Sequence, residues 1–535
     1  MTRVLGIEGT AWAASASIYD SGADADPFQV SDAYEPESGG IHPREAAEHM
    51  RTAIPAVVEQ AVDHARETVG TGSPVDAVAF ARGPGLGPCL RIVATAARAL
   101  AQRLDVPLVG VNHMIGHLEI GRSLGELSDP ICLNASGANA HVLAYHGGRY
   151  RILGETMDTG VGNALDKFAR HLDWGHPGGP KVERAAAEGS YVELPYVVKG
   201  MDFSFSGIMS AAKAAVDDGM AVEDVCCGLQ ESAFGMLTEV TERALSLTNR
   251  TEVVLGGGVG QNARLREMLE SMCRARGATL YAPPPRYLRD NAAMIALVGA
   301  HMYDAGDTLA LPESAVRPDY RPDEVAVGWR SPPTRAVSPE QDQRRGAEAV
   351  VDLDGETVLK RRDKKPYRHE TLDERLRAER TRSEARLTSE ARRAGVPTPV
   401  VSGIDPAAAS LRIEQVGSVD LSRRLHAETV RRVGAQLATL HRAGVVHGDL
   451  TPGNVRVAGS PETQPQIWLI DFGLAYHSAD IEDQAMDLHV FEQAVGGIAE
   501  DAPALFVAFE EAYAQRGDQQ VLSQLANIED RGRYR

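Results

Sequence analysis

The hydrophobic positions of residues 1–320 fall in short runs separated by longer Ala-rich stretches. VLGIEG, DAVAFARG, PLVGV, ICLNAS and EVVLGGG have the length and composition of buried strands, and AASASIYD follows the first run as a second strand. The stretches between them have helical composition. Alternating strands and helices predict an α/β fold for this part of the chain.

The pattern changes after about residue 320. Residues 317–343, RPDYRPDEVAVGWRSPPTRAVSPEQDQ, are rich in proline and charge, which is typical of a linker. Beyond them come dense Arg/Glu helical segments and then a short strand–loop–strand core. The 535 residues also exceed what one hydrophobic core usually holds. We predict a first domain over residues 1–325, a linker over 326–343 and a second domain over 344–535.

The composition of the chain indicates the cellular environment in which the protein works. The chain starts in a strand-like pattern rather than a signal peptide, has no apolar run of membrane-spanning length, and its five cysteines form no CxxC pair. These features predict a cytoplasmic protein without membrane contact. The net charge is −19, and only seven of the 55 Lys and Arg residues are lysine. A salt-rich cytoplasm, which screens carboxylate repulsion, explains this pattern, and a GC-rich genome is the alternative.

The stretch VNHMIGHLEI places His113 and His117 four residues apart. On a helix this spacing puts both imidazoles on one face, within reach of a single metal ion. A zinc-protease motif needs glutamate directly after the first histidine, and Met114 occupies that position, so peptide hydrolysis is not expected. Two structural histidines without metal are the plain alternative.

Two glycine-rich loops occur near opposite ends of the first domain. GIEGT (6–10) joins two predicted strands, and GGGVGQNARL (256–265) runs from a strand into a helix. Backbone N–H groups in such loops can hold nucleotide phosphates. The pair favours the two-lobed fold of actin, sugar kinases and heat-shock ATPases. A sugar kinase is the rival of the same fold, but it has no counterpart to the paired histidines.

Further stretches make the similarity specific. GIHPREAAEHM (40–50), ARGPGLGPCLRIVATAARALA (81–101), LDKFAR (165–170), GGPKVE (178–183) and RDNAAMIA (289–296), together with VNHMIGHLEI, resemble the TsaD-type family of tRNA N6-adenosine threonylcarbamoyltransferases. The resemblance spans residues 3–320. It implies transfer of the threonylcarbamoyl group from threonylcarbamoyl-AMP to N6 of the adenosine beside the anticodon, in tRNAs that read codons beginning with A.

The resemblance also implies site residues. His113, His117 and Asp290 are expected to bind one divalent metal, with iron(II) first and zinc as the alternative. The family usually adds a tyrosine from a Tyr-Val-Ser-Gly segment, whereas this chain has Asn134, a neutral and weaker ligand, which leaves the affinity and identity of the metal open. The residues expected to bind threonylcarbamoyl-adenylate are Asn134, Ala135, Ser136, Gly137, Ala138, Asp166, Gly179, Glu183 and Asn262.

The second domain carries motifs of a protein kinase. VVHGDLTPGNVRV (445–457) places Asp449 where a catalytic aspartate orients the attacking hydroxyl or water. Asn454 and Asp471, the latter in IWLIDFGLA (467–475), are expected to hold Mg²⁺. Lys360 in the strand ETVLK is expected to bind the ATP phosphates, with Glu379 or Glu384 as its helix partner, and we favour Glu384.

Several parts of a signalling kinase are missing from the second domain. No GxGxxG loop precedes Lys360, and no APE segment follows the DFG motif. With KRRDKKPYRHETLDERLRAERTRSEARL (360–387) and the terminal RGRYR, residues 344–535 resemble the small kinase/ATPase subunit of the archaeal–eukaryotic KEOPS complex, which is fused to the transferase in some archaea. We therefore expect a small bilobal α+β domain.

The KEOPS resemblance has functional implications. It implies that ATP hydrolysis or Ser/Thr phosphorylation supports the transferase. It also implies two partner proteins, a small dimerising subunit and a kinase-binding subunit. A free signalling kinase is the alternative, but it would need a substrate-docking activation segment that this chain lacks.

An acidic chain must meet tRNA through local basic residues. Ordinary i,i+4 ion pairs explain much of the charge in residues 373–393. At molar salt, screening over about 3 Å leaves little long-range attraction, so partner subunits are expected to supply part of the grip on tRNA. The candidate tRNA contacts of this chain are Arg361, Arg362, Lys364, Lys365, Arg531, Arg533 and Arg535.

Overall fold

The computed structural model describes residues 2–23, 26–34, 42–69, 72–330, 346–459, 464–499 and 501–533, with side chains described up to residue 528. Within these residues, no helix combines the length and the apolar character that crossing a membrane requires. The described residues form two units.

The first unit is an α/β structure. Its strands are β1 Arg3–Glu8, β2 Ala13–Asp20, β3 Phe28–Ala33, β4 Ala77–Gly83, β5 Leu108–Asn112, β6 Ile131–Ala135, β7 Ala140–His146, β8 Arg149–Glu155, β9 Val198–Lys199, β10 Asp202–Phe203, β11 Glu252–Gly256 and β12 Thr279–Tyr281. Its helices are α1 Pro43–Val69, α2 Gly87–Leu104, α3 His113–Leu124, α4 Val161–His171, α5 Gly179–Ala186, α6 Ser206–Asp217, α7 Val222–Thr248, α8 Ala263–Arg276, α9 Pro285–Leu288 and α10 Ala292–Asp304.

The two large sheets of this unit have the same topology. The first sheet has the order β3-β2-β1-β4-β5, and the second, read from its far edge, has the order β8-β7-β6-β11-β12. In each, an antiparallel meander of three strands is extended by two parallel strands. This duplication confirms the predicted two-lobed architecture of the actin type, although the sequence shows no internal repeat.

Burial explains why the central strands are apolar. Every residue of β5 and β6 is buried, as are five of the six residues of β1. Strands covered by helices on both faces read as continuous apolar runs rather than as alternating patterns. The α3 and α10 helices pack against each other between the two sheets, and this contact positions the candidate metal ligands.

The first unit continues beyond residue 325. Val327 is 3% exposed and belongs to a hydrophobic core with residues of β4 and β5. Arg330 is also buried and donates to the Tyr150 hydroxyl and the Ser128 carbonyl. Residues 326–330 are therefore part of the first unit rather than of a linker, because their side chains complete its core. Residues 331–343 of the predicted linker lie outside the described residues.

The second unit is a small α+β structure with two lobes. Its strands are β13 Ala349–Asp354, β14 Thr357–Arg362, β15 Val401–Asp405, β16 Ser410–Glu414, β17 Val419–Asp420, β18 Val445–Val446, β19 Val455–Ala458, β20 Gln466–Leu469 and β21 Tyr476–His477. Its helices are α11 Glu370–Arg393, α12 Ala427–Arg442, α13 Ile481–Gly496, α14 Ala502–Ala514 and α15 Gln519–Arg533. A four-stranded sheet, β13-β14-β16-β15, and α11 form one lobe, and α12 to α15 form most of the other.

A buried ion network joins the two units. Glu239 of α7 accepts hydrogen bonds from Arg368, at 2.5 Å, and from Arg380 of the second unit. Glu242, one turn further along α7, accepts from Lys365 at 2.6 Å and from the Tyr367 hydroxyl at 3.0 Å. Because both carboxylates are nearly inaccessible to water, loss of either would leave an excess of buried positive charge. The network therefore fixes the second unit against α7.

Candidate functional site

The paired histidines lie on one face of α3, as their spacing predicts. Asn112 caps this helix by accepting from the backbone N–H of Ile115, so His113 is its first residue. The Nε2 atoms of His113 and His117 lie 3.4 and 3.3 Å from Oδ1 of Asp290, which lies two residues before the start of α10. These three ligand atoms lie within 4.8 Å of one another. The structure thus brings together the three residues predicted to bind metal.

Glu8 was not anticipated as part of this centre. It lies at the end of β1, is fully buried, and its Oε2 is 3.0 Å from Nδ1 of His113. The backbone N–H of Thr10 holds the other oxygen of Glu8 at 2.8 Å. A carboxylate behind a histidine fixes the ring and its tautomer, and turns the remaining nitrogen toward a metal. The only sequence signal for Glu8 was its place in the GIEGT hairpin.

The electrostatics of the centre favour a cation. Burial opposes the charged form of His113, but the carboxylates of Glu8 and Asp290 outweigh burial and raise the pKa of His113 to about 10. Burial lowers the pKa of His117. Burial alone would raise the pKa of Asp290, yet the two histidines hold it well below its usual range. Two carboxylates share one positive charge here, so a divalent cation suits the site.

Asn134 lies at the end of β6 beside this centre. Its side chain is fully buried, and its Oδ1 has no hydrogen-bond partner among the described residues. Its Nδ2 faces the sulfur of Met114 at 3.7 Å. A buried amide oxygen without a partner is uncommon and indicates a position that a cation or a ligand group completes. The donor set therefore fits a metal held by two imidazole nitrogens, a carboxylate and a weak amide oxygen.

The loop after β6 is held in a fixed shape. Ser136 Oγ donates to the Asn139 carbonyl at 2.8 Å, and the N–H groups of Gly162 and Asn163 donate to the carbonyls of Ser136 and Gly137. This places the loop on the amino end of α4, where its carbonyls satisfy N–H groups of the first turn. Ala135 is buried, whereas Gly137 and Ala138 are exposed and free to contact a ligand.

The four predicted adenylate-binding residues outside the loop after β6 lie on α4, on α5 and at the start of α8. Asp166 of α4 accepts from the N–H of Gly178 at 2.7 Å, beside Gly179 at the start of α5. Glu183 of α5 accepts from the N–H of Ala263 at 2.8 Å, next to Asn262. Asn262 caps α8 with its side-chain oxygen. The structure therefore brings these positions together in two adjacent pairs.

The kinase motifs also assemble into one site. Nζ of Lys360 lies 2.8 Å from Oε1 of Glu384 and 2.7 Å from Oδ1 of Asp471. Glu379, the other candidate partner, is exposed on the same helix. Burial opposes ionisation of Asp471, but Lys360 and Arg362 outweigh it and lower its pKa to about 2. Asp471 is thus ionised, as a Mg²⁺ ligand must be.

Asp449 lies in a loop whose backbone is held by the carboxylate of Asp487. The N–H groups of His447 and Gly448 donate to the buried carboxylate of Asp487 at 2.6 and 2.7 Å. Nδ2 of Asn454 donates to Oδ2 of Asp449 at 3.1 Å. Burial raises the pKa of Asp449 to about 7. Arg243, which no sequence motif indicated, lies 3.6 Å from this carboxylate and opposes that increase.

The structure corrects part of the list of residues predicted to contact tRNA. Arg362 is 3% exposed and donates to Glu384 at 2.8 Å, and Lys365 is 7% exposed and pairs with Glu242. Both are therefore removed as tRNA contacts, because buried ion pairs hold them. Arg361 is exposed, and Lys364 is exposed beside Glu370. The terminal candidates divide between α15, where the side chains of Arg531 and Arg533 are not described, and Arg535, which lies outside the described residues.

Two family models match separate parts of the chain. The family model described as tRNA N6-adenosine threonylcarbamoyltransferase matches residues 27–297, which contain His113, His117 and Asp290. The model described as lipopolysaccharide kinase (Kdo/WaaP) family matches residues 407–495, which contain Asp449 and Asp471.

Full-length relatives resemble the whole chain. Three of them carry the description probable bifunctional tRNA threonylcarbamoyladenosine biosynthesis protein. The relative from Natronomonas pharaonis is 64% identical and is matched over 100% of both chains. The relative from Halobacterium salinarum is 62% identical over 99% of this chain and 98% of its own, and that from Methanospirillum hungatei is 50% identical over 99% of each.

Proposed function

We propose that this chain, which belongs to the family of bifunctional tRNA threonylcarbamoyladenosine biosynthesis proteins, transfers the threonylcarbamoyl group at the centre of His113, His117 and Asp290. Its substrate is tRNA, as a tRNA-modifying enzyme requires. The transferase family binds a divalent metal, and the kinase-like domain binds ATP with Mg²⁺.

One observation carries the assignment of the transfer centre. Two Nε2 atoms and one carboxylate oxygen converge in a buried place, with Glu8 orienting the first histidine. A structural histidine pair needs neither a convergent carboxylate nor a buried orienting carboxylate. When bound there, a divalent metal supplies a Lewis acid for the oxygens of the substrate.

The adenylate is proposed to lie between the loop 134–138 and the predicted binding residues of α4, α5 and α8, which are Asp166, Gly179, Glu183 and Asn262. The exposed backbone of Gly137 and Ala138 binds phosphate oxygens, and Glu183 and Asn262 bind ribose hydroxyls. The exocyclic nitrogen of the adenosine attacks the carbamoyl carbon and loses a proton, and the bond from that carbon to the phosphate oxygen breaks as AMP leaves. Positioning of the two reactants supplies much of the rate enhancement.

The donors limit which divalent metals suit the centre. Two histidines, one carboxylate and no cysteine suit iron(II) or zinc, and we propose iron(II) with zinc as the alternative. Asn134 in place of a phenol makes the site weaker, so substrate oxygens are expected to complete the coordination. Metal analysis of protein purified with and without adenylate tests both points.

The kinase-like unit is proposed to hydrolyse ATP in support of the transferase. Lys360, held in place by Glu384, binds the phosphates, Asn454 and Asp471 hold Mg²⁺, and Asp449 orients the attacking water. The absence of an APE segment from the sequence favours an ATPase over a signalling kinase. We further propose that the chain works in the cytoplasm within a KEOPS-type complex that contains a small dimerising subunit and a kinase-binding subunit.

The decisive assay combines the full chain with threonylcarbamoyl-AMP, tRNA, ATP-Mg²⁺ and the two partner subunits, followed by digestion of the RNA to nucleosides. Threonylcarbamoyladenosine in wild type, and its loss in Asp290→Ala, supports the proposal. Phosphorylation of an unrelated protein without any modified nucleoside would favour the signalling-kinase alternative.

A further inference from the structure

A cavity of about 550 Å³ lies between the two units, next to the proposed transfer centre. On the transferase side it is lined by Met114, which follows His113 in α3, and by Ala138 of the loop after β6. On the other side it is closed by Met486 and His489 of α13 and by α15. One cavity therefore borders both the proposed adenylate loop and the kinase-like unit.

We infer that this cavity receives the acceptor adenine of the tRNA, so that α13 of the kinase-like unit helps to position the base that is modified. The inference rests on the proposed transfer reaction. Enzymes that modify a base take it out of its stack and enclose it in a pocket. Here the enclosed base would meet the adenylate loop at one end of the cavity.

The charge of the cavity wall favours a neutral base over a phosphate group as the ligand. The permanent cations of the wall are Lys199 and Arg321, of which Lys199 lies 2.5 Å from Asp483 and Arg321 lies 3.7 Å from Glu155. Acidic side chains outnumber them and are Glu155, Asp158, Asp202, Asp319, Glu482 and Asp483. Such a wall repels the phosphate of RNA and the carboxylate of the threonyl group. Carboxylate oxygens instead accept hydrogen bonds from an exocyclic amine.

The wall also contains a buried polar atom that no protein group satisfies. His141 is 8% exposed, and its Nδ1 has no hydrogen-bond partner in the described part of the chain, while its Nε2 faces Glu155 at 3.4 Å. Buried polar atoms normally have a partner, so this imidazole indicates a ligand with a polar edge. The ring nitrogens and the amine of adenine provide such an edge.

Other features of the wall suit a flat heteroaromatic ring. Met114, Ile152 and Met486 provide apolar surfaces against which a base can stack. Burial raises the pKa of Asp202 to about 7, so near neutral pH this carboxyl can donate to a ring nitrogen or accept from an amine. A cavity with apolar faces and a few convergent polar groups is typical of sites for small, mostly neutral groups.

The test uses the full chain with its partner subunits and two variants on the kinase-like side, Met486→Trp, which fills the cavity, and His489→Gln, which keeps a polar side chain. Val507→Trp, at an exposed position of α14, is the matched control. Steady-state transfer gives the KM for tRNA and for threonylcarbamoyl-AMP separately. Fluorescence of an anticodon stem-loop carrying 2-aminopurine next to the acceptor adenosine reports docking of that adenosine, because its departure from the stack changes the fluorescence of its neighbour, and without threonylcarbamoyl-AMP no transfer occurs.

We expect Met486→Trp to raise the KM for tRNA, or to lower kcat at saturating tRNA, by about tenfold or more, as displaced reactants do. The KM for adenylate, the metal content and ATP hydrolysis should stay within about twofold of wild type, and His489→Gln should show a smaller effect of the same kind. A raised KM for adenylate alone would overturn the inference, as would unchanged kinetics and unchanged 2-aminopurine docking in both variants. Absence of threonylcarbamoyladenosine in wild type would refute the proposed function instead. The 2-aminopurine fluorescence would then still test whether the cavity receives the base.

Discussion

Nη1 of Arg243, in the transferase unit, lies 3.6 Å from Oδ1 of Asp449, in the kinase-like unit. The side chain of Arg243 is 7% exposed, and it also pairs with Glu239 and Glu348. A charge–charge contact in such a buried setting is little screened by salt. The protonation of the proposed ATPase aspartate is therefore coupled to the interface between the units.

Replacement of Arg243 by alanine should change the pH dependence of ATP hydrolysis. Burial raises the pKa of Asp449 and Arg243 opposes that increase, so its removal raises the pKa further. Since Asp449 acts as a carboxylate, activity at pH 7 should fall, on the order of tenfold, and the acidic limb of the profile should move to higher pH. Initial rates between pH 6 and 9 measure this, with Arg276→Ala, which removes another contact between the units, as control. A higher rate at pH 7, or an unmoved limb, would contradict the assignment.

Removal of Glu384 should destabilise the second unit strongly. Lys360 and Arg362 both pair with this buried carboxylate, so Glu384→Ala leaves two buried cations to share the single carboxylate of Asp471, which lies 2.7 Å from Lys360 but 3.9 Å from Arg362. Breaking a buried pair in this way costs about 3–5 kcal/mol in the free energy of unfolding. Denaturant unfolding followed by fluorescence gives the value. Glu379→Ala, at an exposed position of the same helix, should change it by less than about 0.5 kcal/mol; equal effects would mean that the pairing does not stabilise the unit.

Glu8 should control the affinity for metal without binding it. Glu8→Gln keeps the size of the side chain but removes the charge that faces Nδ1 of His113, so metal affinity should fall by about 10- to 100-fold. Titration of metal-depleted protein gives the dissociation constant, and Glu59→Gln, on the exposed face of α1, should leave it unchanged. An unaltered constant in Glu8→Gln would remove Glu8 from the centre.

The acidity of the chain should make its stability depend on salt. With a net charge of −19, carboxylate repulsion is screened at molar KCl and strengthens as the salt is diluted. Circular dichroism from molar KCl to dilute buffer should show a falling melting temperature. A melting temperature that ignores salt would leave GC-rich codon usage as the reason for the scarcity of lysine.

Short-range patterns in the sequence predicted the elements well. The apolar runs became β1, β4, β5, β6 and β11, and the spacing of His113 and His117 placed both rings on one helix face. The duplication of the two sheets was expected only from the similarity to the actin-type fold and not from an internal repeat, because a shared topology needs no shared sequence. The end of the first unit was also predicted too early, since the composition of residues 326–330 is that of a linker while Val327 and Arg330 are buried.

Long-range pairing limited what the sequence revealed about the sites. The KRRDKK segment shows positive charge, but the burial of Arg362 and Lys365 depends on Glu384 and Glu242, which are distant in the chain. Arg243 has no local signal, because its role arises from the contact between the units. The roles of charged residues therefore depended on partners that only the folded chain supplies.

The central claim is that His113, His117 and Asp290 form one metal centre at which transfer occurs. Metal bound per chain, measured by mass spectrometry on protein that is also assayed for threonylcarbamoyladenosine, tests it most directly. We predict that His113→Ala loses metal and transfer together, with the circular dichroism of wild type, and that Asn134→Ala loses less of both. Full metal content and full transfer in His113→Ala would contradict the claim and would make the two histidines structural.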